Sequence, residues 1–235
     1  MKKGDIRKIR ILDAAEKLFF EKGYEQTSIQ DILDALSLSK GGFYHYFDSK
    51  LGMLREICER RAEERYEKLT GELYLSRRSP IDKLNLLLGQ VNLFETEDAR
   101  FAALMLKICY RDHDAAIREH TRRIAIERLT PFMNDVVGEG IEDGLLHTRY
   151  PMEIGRLALM LAWDVDDSAC RMLAENPENP ESIIPIMEML NAYRESVETL
   201  LGAPFGTLEI FDVGKLVGAI RAAAAELIRL EENAQ

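Results

Sequence analysis

The stretch that decides the fold runs Thr27-Ser-Ile-Gln-Asp-Ile-Leu-Asp-Ala-Leu-Ser-Leu-Ser-Lys-Gly-Gly-Phe-Tyr-His-Tyr-Phe-Asp-Ser-Lys50. Ile29, Ile32, Leu33 and Leu36 fall on one face of a helix, and Thr27-x-x-Gln30 has capping-box spacing, so this helix is expected to open at Thr27. Ser37-Leu38-Ser39 interrupts it, and Ser39 is a good N-cap for a following helix over 40–47. On that second helix Phe43, Tyr46 and Phe47 face inward. Gly41 and His45 point away, flanked by Gly42 and Tyr44. Ser49 then caps a longer helix that starts at Lys50 and runs into 66–75.

Two short helices joined by a tight turn are the plan of a helix-turn-helix unit, which needs a third helix to bury its apolar faces. The stripe Ile11, Leu12, Ala15, Leu18 and Phe19 supplies one, with Gly23 as its stop. In such a unit the second helix carries the side chains that face DNA. Thr27 and Ser28 sit at a helix N-terminus, where hydroxyls and backbone N–H groups suit a phosphate oxygen. Ser39, Lys40 and Lys50 offer a hydroxyl and two cations in similar settings, and Gly41 and Gly42 have no side chain to hold the helix off a groove. Tyr44 and His45 project toward phosphate or base edges. The plainer alternative is that the glycines only weaken the helix, the hydroxyls only cap, and His45 is only solvated.

Leu18-Phe19, Gly23, Thr27-Ser28-Ile29, Asp31-Ile32, the run Ser39-Lys40-Gly41-Gly42-Phe43-Tyr44-His45-Tyr46-Phe47 and Ser49-Lys50 together resemble the DNA-binding domain of TetR-family transcriptional regulators. The resemblance covers roughly 6–55. Three places depart from the family pattern: Ser37 stands where a turn glycine is usual, Gly42 where threonine is common, and Leu51-Gly52 where an acidic pair is usual. The resemblance implies an all-α fold in two domains. Residues 1–50 form a three-helix helix-turn-helix domain that binds double-stranded operator DNA. Residues 51–235 form a larger helical domain for dimerisation and for an unidentified small-molecule effector. The implied function is a cytoplasmic homodimeric regulator, a repressor more than an activator, that reads a palindrome and is released by its effector. A helical interaction module that has lost DNA binding is the alternative, and Ser37 and Gly42 are its best arguments.

Charge is distributed in keeping with that division. The chain of 235 residues carries a net −10, yet residues 1–50 hold nine basic and eight acidic side chains against 22 and 33 in the remainder. Lys2, Lys3, Arg7, Lys8 and Arg10 crowd the first ten positions. A DNA contact is therefore permitted at one end and discouraged over the rest. The longest apolar run, 157–163, is far short of a bilayer span, and no secretory signal is visible. Cys58, Cys109 and Cys170 have neither disulfide-framework nor zinc-site spacing.

Beyond residue 76 the helical period continues without motifs. Ser79 caps a helix with Pro80 in its first turn, expected to reach about residue 95. Further helices are expected over 99–111, over 115–143 with a bend near Pro131 and a stop at Gly144, and from Pro151 to the turn-rich 176–180. The last two are placed over 183–201 and 209–230. Ile186, Leu190, Tyr193 and Val197 in the first of these, and Val213, Val217, Ile220 and Ala224 in the second, form apolar stripes suited to a four-helix dimer interface. Packing on their own chain is the alternative. Phe94, Phe101, Met105, Cys109, Met133, Met160 and Trp163 are adaptable side chains suited to a ligand cavity, or simply core. Trp163 followed by Asp164-Val165-Asp166-Asp167 suggests a cation site, with a solvated acidic face as the plainer reading. His113 and His120 lack a third metal ligand at fixed spacing, and no nucleophile elbow or phosphate loop occurs. No enzyme, metal or cofactor is expected.

Overall fold

The computed structural model describes residues 3–89, 98–111, 115–179 and 183–232. Among these the chain is helical throughout, with no strand. It divides into two compact units, 1–62 and 63–235, and the boundary falls inside a helix.

In the first unit α1 (Lys3–Glu21), α2 (Ile29–Leu36), α3 (Lys40–Tyr44) and the first turns of α4 (Lys50–Tyr74) enclose one core. Ile11, Leu12, Ala15 and Phe19 of α1 meet Ile32 and Leu33 of α2, Phe43 and Phe47, and Met53, Leu54 and Ile57 of α4, all buried. The cap of α2 lies one residue later than its spacing suggests. Ser28 Oγ accepts from the Asp31 N–H at 3.1 Å while the Asp31 carboxylate accepts from the Ser28 N–H at 2.7 Å. Asp31 wins this role because its carboxylate also takes the Lys22 ammonium at 2.7 Å. These bonds, that from Lys22 foremost, hold Asp31 well below the usual carboxylate range.

Ser39 caps α3 as expected, its Oγ accepting from the Gly42 N–H at 3.3 Å. The helix ends at Tyr44 rather than residue 47, as two glycines at its start propagate a helix poorly. The Tyr46 N–H then turns to the Phe43 carbonyl at 2.8 Å, which still buries Phe47. Between α2 and α3, Ser37 adopts φ 52° and ψ 44°, the left-handed conformation that favours glycine. The tight turn is thus kept, at a cost of roughly 1–2 kcal/mol for the serine Cβ.

The second unit continues from α4 through α5 (Pro80–Gly89), α6 (Ala99–Leu106), a single π-helical turn (Lys107–Arg111), α7 (Ala115–Glu142), α8 (Pro151–Glu175), α9 (Ile183–Leu201) and α10 (Val213–Glu232). Ser79 and Pro80 open α5 as the sequence suggests; residues 90–95, including Phe94, lie outside the described segments. α7 continues through Pro131. α10 starts at Val213 rather than 209, because the Asp212 carboxylate accepts from the Lys215 N–H at 3.0 Å and so caps the helix there. α8 packs between α7 and α9, and α10 lies against α6. Gly202 ends α9 with φ +64°, its α-carbon so close to the His147 carbonyl that a Cβ would sit 2.0 Å from that oxygen. The loop that follows is tied down by buried Glu198, which accepts from the Gly206 and Leu208 N–H groups.

Candidate nucleic-acid interface

Thr27, Ser28, Ser39, Lys40, Gly41, Gly42, Tyr44, His45 and Lys50 all belong to the first unit, but they divide into two groups. Ser39, Lys40, Gly41, Tyr44 and His45 are exposed on one short segment, with Tyr44 57% accessible. Tyr44 is held edge-on against Phe43 at 5.2 Å, and His45 stands edge-on to Tyr46 at 4.8 Å. Buried Phe43 fixes the helix from beneath, so its outer face is aimed by core packing and not by its own propensity.

Thr27 and Lys50 are placed differently. Thr27 is fully buried, and its hydroxyl donates to the Gly23 carbonyl at 2.7 Å and the Leu18 carbonyl at 3.2 Å. The half-buried Lys50 ammonium donates to the Tyr24 and Thr27 carbonyls at 2.9 and 3.1 Å and stands 4.2 Å from the centroid of the Tyr24 ring. Both are staples that lock the α1–α2 loop to the start of α4, which corrects the expectation that they face a phosphate. Ser28 is exposed, but its hydroxyl donates to the Asp31 carboxylate at 2.6 Å.

One further residue, visible in the sequence only as part of the basic N-terminus, joins the outer face. The Arg7 guanidinium approaches Gly42 so closely that a Cβ added there would lie 3.6 Å from Nη2. Arg7 thus occupies the space that the missing Gly42 side chain leaves. Its neighbours on α1 face α4 instead: Lys8 pairs with Glu56 at 2.6 Å, while Asp13 and Glu16 take Arg60 and Arg61. Those charges cancel within the unit. Arg7 and Lys40 pair with no carboxylate among the described residues, and both are exposed beside the N-terminus of α3.

In the second unit the two residue sets of the sequence reading are placed as follows. Ile186, Leu190, Tyr193, Val197, Ile220 and Ala224 are buried within their own chain. Ile186, Leu190, Tyr193 and Ile220 instead line an apolar cavity with Leu88, Val165 and Phe211. Val213 is 55% exposed and Val217 half-buried. Met105, Cys109 and Met133 are buried core, whereas Phe101, Met160 and Trp163 are half-buried, and none of the six lines the cavity. The acids after Trp163 also separate. Asp167 is paired with Arg118 and Arg171 and accepts from the Tyr110 hydroxyl at 3.1 Å. Burial raises its carboxyl, but those partners outweigh burial and hold it below the usual range. Asp166 is at the cavity, and Asp164 is exposed. His120 is exposed, and His113 lies outside the described segments. Among the described residues no cluster suits a metal ion, and no helix is long and apolar enough to cross a membrane.

The family model described as bacterial regulatory proteins, tetR family, matches residues 11–57, from within α1 to the second turn of α4. An uncharacterized HTH-type transcriptional regulator in the lacX 3′ region of Lactococcus lactis subsp. lactis is 37% identical over 84 residues, 36% of this chain and 43% of that one. The HTH-type transcriptional repressor KstR2 of Rhodococcus jostii (strain RHA1) is 27% identical over 162 residues, covering 67% of this chain and 76% of the relative. The chain thus matches less than half the length of the Lactococcus protein. Among solved structures, a TetR-family transcriptional regulator from Pectobacterium atrosepticum superposes with a TM-score of 0.56 at 21% identity, over 87% of this chain and all of the other. That likeness extends the shared fold well beyond the matched domain. Residues 11–57 thus match the domain of bacterial regulatory proteins of the tetR family, and the rest of the chain shares the helical fold of a solved regulator of that family.

Proposed function

We propose that the protein is a homodimeric transcriptional repressor that binds a palindromic operator and is released by a small molecule held in residues 63–235. The observation that carries this reading is the bare outer face of α3. Lys40, Gly41, Tyr44 and His45 are exposed there, and Arg7 fills the gap beside Gly42, while Lys8, Asp13 and Glu16 of the same helix are paired with α4. In a duplex complex Ser39, Lys40 and Arg7 meet phosphate, the two glycines let the helix backbone approach the groove, and Tyr44 and His45 reach base edges or phosphate. Thr27 and Lys50 position this face without touching DNA, and Ser28 offers its helix N-terminus.

A palindrome requires two copies, with recognition helices about 34–36 Å apart to occupy successive major grooves. The face left for a second copy is the outward side of α9 and α10. Ile184 (59% exposed) lies there on α9, and Gly214, Gly218, Ala222 and Ala225 on α10 permit close helix approach. A Cβ at Gly218 meets nothing within 4 Å, so the single chain itself leaves that space open. α4 runs unbroken from the DNA-binding unit into the helical body, which makes it the element whose shift alters recognition-helix spacing. The relative named KstR2 is a repressor, which favours repression over activation here.

The test is selection from a random duplex pool, followed by titration of the enriched sequence. A palindrome bound by a dimer, with affinity falling steeply with salt, supports the reading. A folded protein that enriches no sequence overturns it.

A further inference from the structure

The cavity between α5, α8, α9 and α10 is lined by Leu88, Val165, Ile186, Leu190 and Ile220, with Tyr193 and Asp166 as its polar lining residues. Tyr193 is 98% buried, and its hydroxyl has no hydrogen-bond partner. A buried hydroxyl without a partner carries a desolvation cost that an acceptor placed in the cavity would remove. Burial alone raises this phenol far above its ordinary range, so it stays a neutral donor. The cavity is narrow as it stands, and half-buried Phe211, 6.1 Å from the Tyr193 ring, closes one side from the loop before α10.

Resting on the reading of the chain as an effector-released regulator, we infer that this cavity is the effector site. It takes an apolar, uncharged small molecule carrying one hydrogen-bond acceptor, a ketone or ester carbonyl for example, which accepts from Tyr193 Oη. The apolar walls supply most of the contact and disfavour a charged carboxylate or phosphate ligand, and the phenol fixes orientation. Because the cavity must widen at Phe211 to admit such a molecule, the ligand binds a wider conformation better than this one. That differential affinity is what an effector needs in order to shift a population.

The experiment uses the full chain and three probes of matched size: acetophenone, ethylbenzene and benzoate. Binding is read by calorimetry, and operator retention is measured separately. Acetophenone is expected to bind about three- to tenfold more tightly than ethylbenzene, the effect of one hydrogen bond. Tyr193→Phe is expected to abolish that preference while leaving ethylbenzene unchanged. Benzoate is expected to bind at least about tenfold more weakly than acetophenone, because an apolar cavity does not solvate its charge. Equal binding of acetophenone and ethylbenzene, or a preference that survives Tyr193→Phe, overturns the assignment. No binding of any probe by the folded protein also overturns it and leaves the cavity a packing gap. Acetophenone bound through Tyr193 with operator retention unchanged supports the site and counts against effector release, so the two readings fail separately.

Discussion

The two units reveal themselves through different kinds of information. In residues 1–62 the elements are short, and each cap and turn residue has a local job that its chemistry announces. In residues 63–235 the helices are long and periodic, and period alone says which side chains share a face without saying what that face meets. The first unit therefore has a surface whose residues can be named from the sequence. The second has a core whose inner and outer faces are told apart only by packing.

The largest effect that would break this contrast is in the first unit's core. Phe43 is fully buried beneath the outer face of α3, so Phe43→Ala should cost about 3–5 kcal/mol. DNA binding should be lost while the helical body still melts cooperatively in urea. A variant that keeps operator affinity would show that α3 is not aimed from beneath. In the second unit, Asp167→Asn removes a carboxylate shared by Arg118, Arg171 and Tyr110 and should cost about 2 kcal/mol. The sign with pH follows from its lowered carboxyl. The stabilisation is present above the unfolded value of about 4 and is lost as pH falls through the lower folded value. The gap between wild type and variant should therefore close in acid, and denaturation at pH 7 and pH 3 checks it. Ser37→Gly relieves the left-handed serine and should raise stability by about 1 kcal/mol; a loss would mean the Ser37 side chain stabilises the turn in another way. Gly218→Glu should leave helicity intact, since the space beside it is open, yet yield monomers in sedimentation. An undiminished dimer would move the interface elsewhere.

Much of the first unit was legible. Ser39 as a cap, Phe43 and Phe47 as inward residues and the turn at Ser37 all follow from the residues and were found in place. What failed there failed by one residue or one partner. Thr27 and Ser28 are adjacent hydroxyls, and only the reciprocal carboxylate of Asp31, tied to Lys22, selects Ser28 as the cap. Lys50 reads as a free cation until the fold brings two carbonyls of the α1–α2 loop to its ammonium. Arg7 was missed as a candidate because its place beside Gly42 depends on how α1 crosses α3, which no local pattern encodes. In the second unit helix positions were legible to within a few residues, but the α9 stripe was assigned outward and lies inward. A stripe of Ile186, Leu190, Tyr193 and Val197 is equally suited to a partner helix of the same chain, and α8 is that partner. The cavity it lines was invisible for the same reason.

The most direct test of the central claim, that the outer face of α3 with Arg7 reads DNA, is the salt dependence of binding to the selected duplex. Wild type is to be compared with Arg7→Ala/Lys40→Ala, two exposed residues outside the core. The account predicts a steep fall in affinity with salt and a slope shallower by about 2 in the double variant, one phosphate for each cation removed. Stability and oligomeric state should be unchanged. An identical slope in the two proteins would place the DNA contact on another surface and contradict the account.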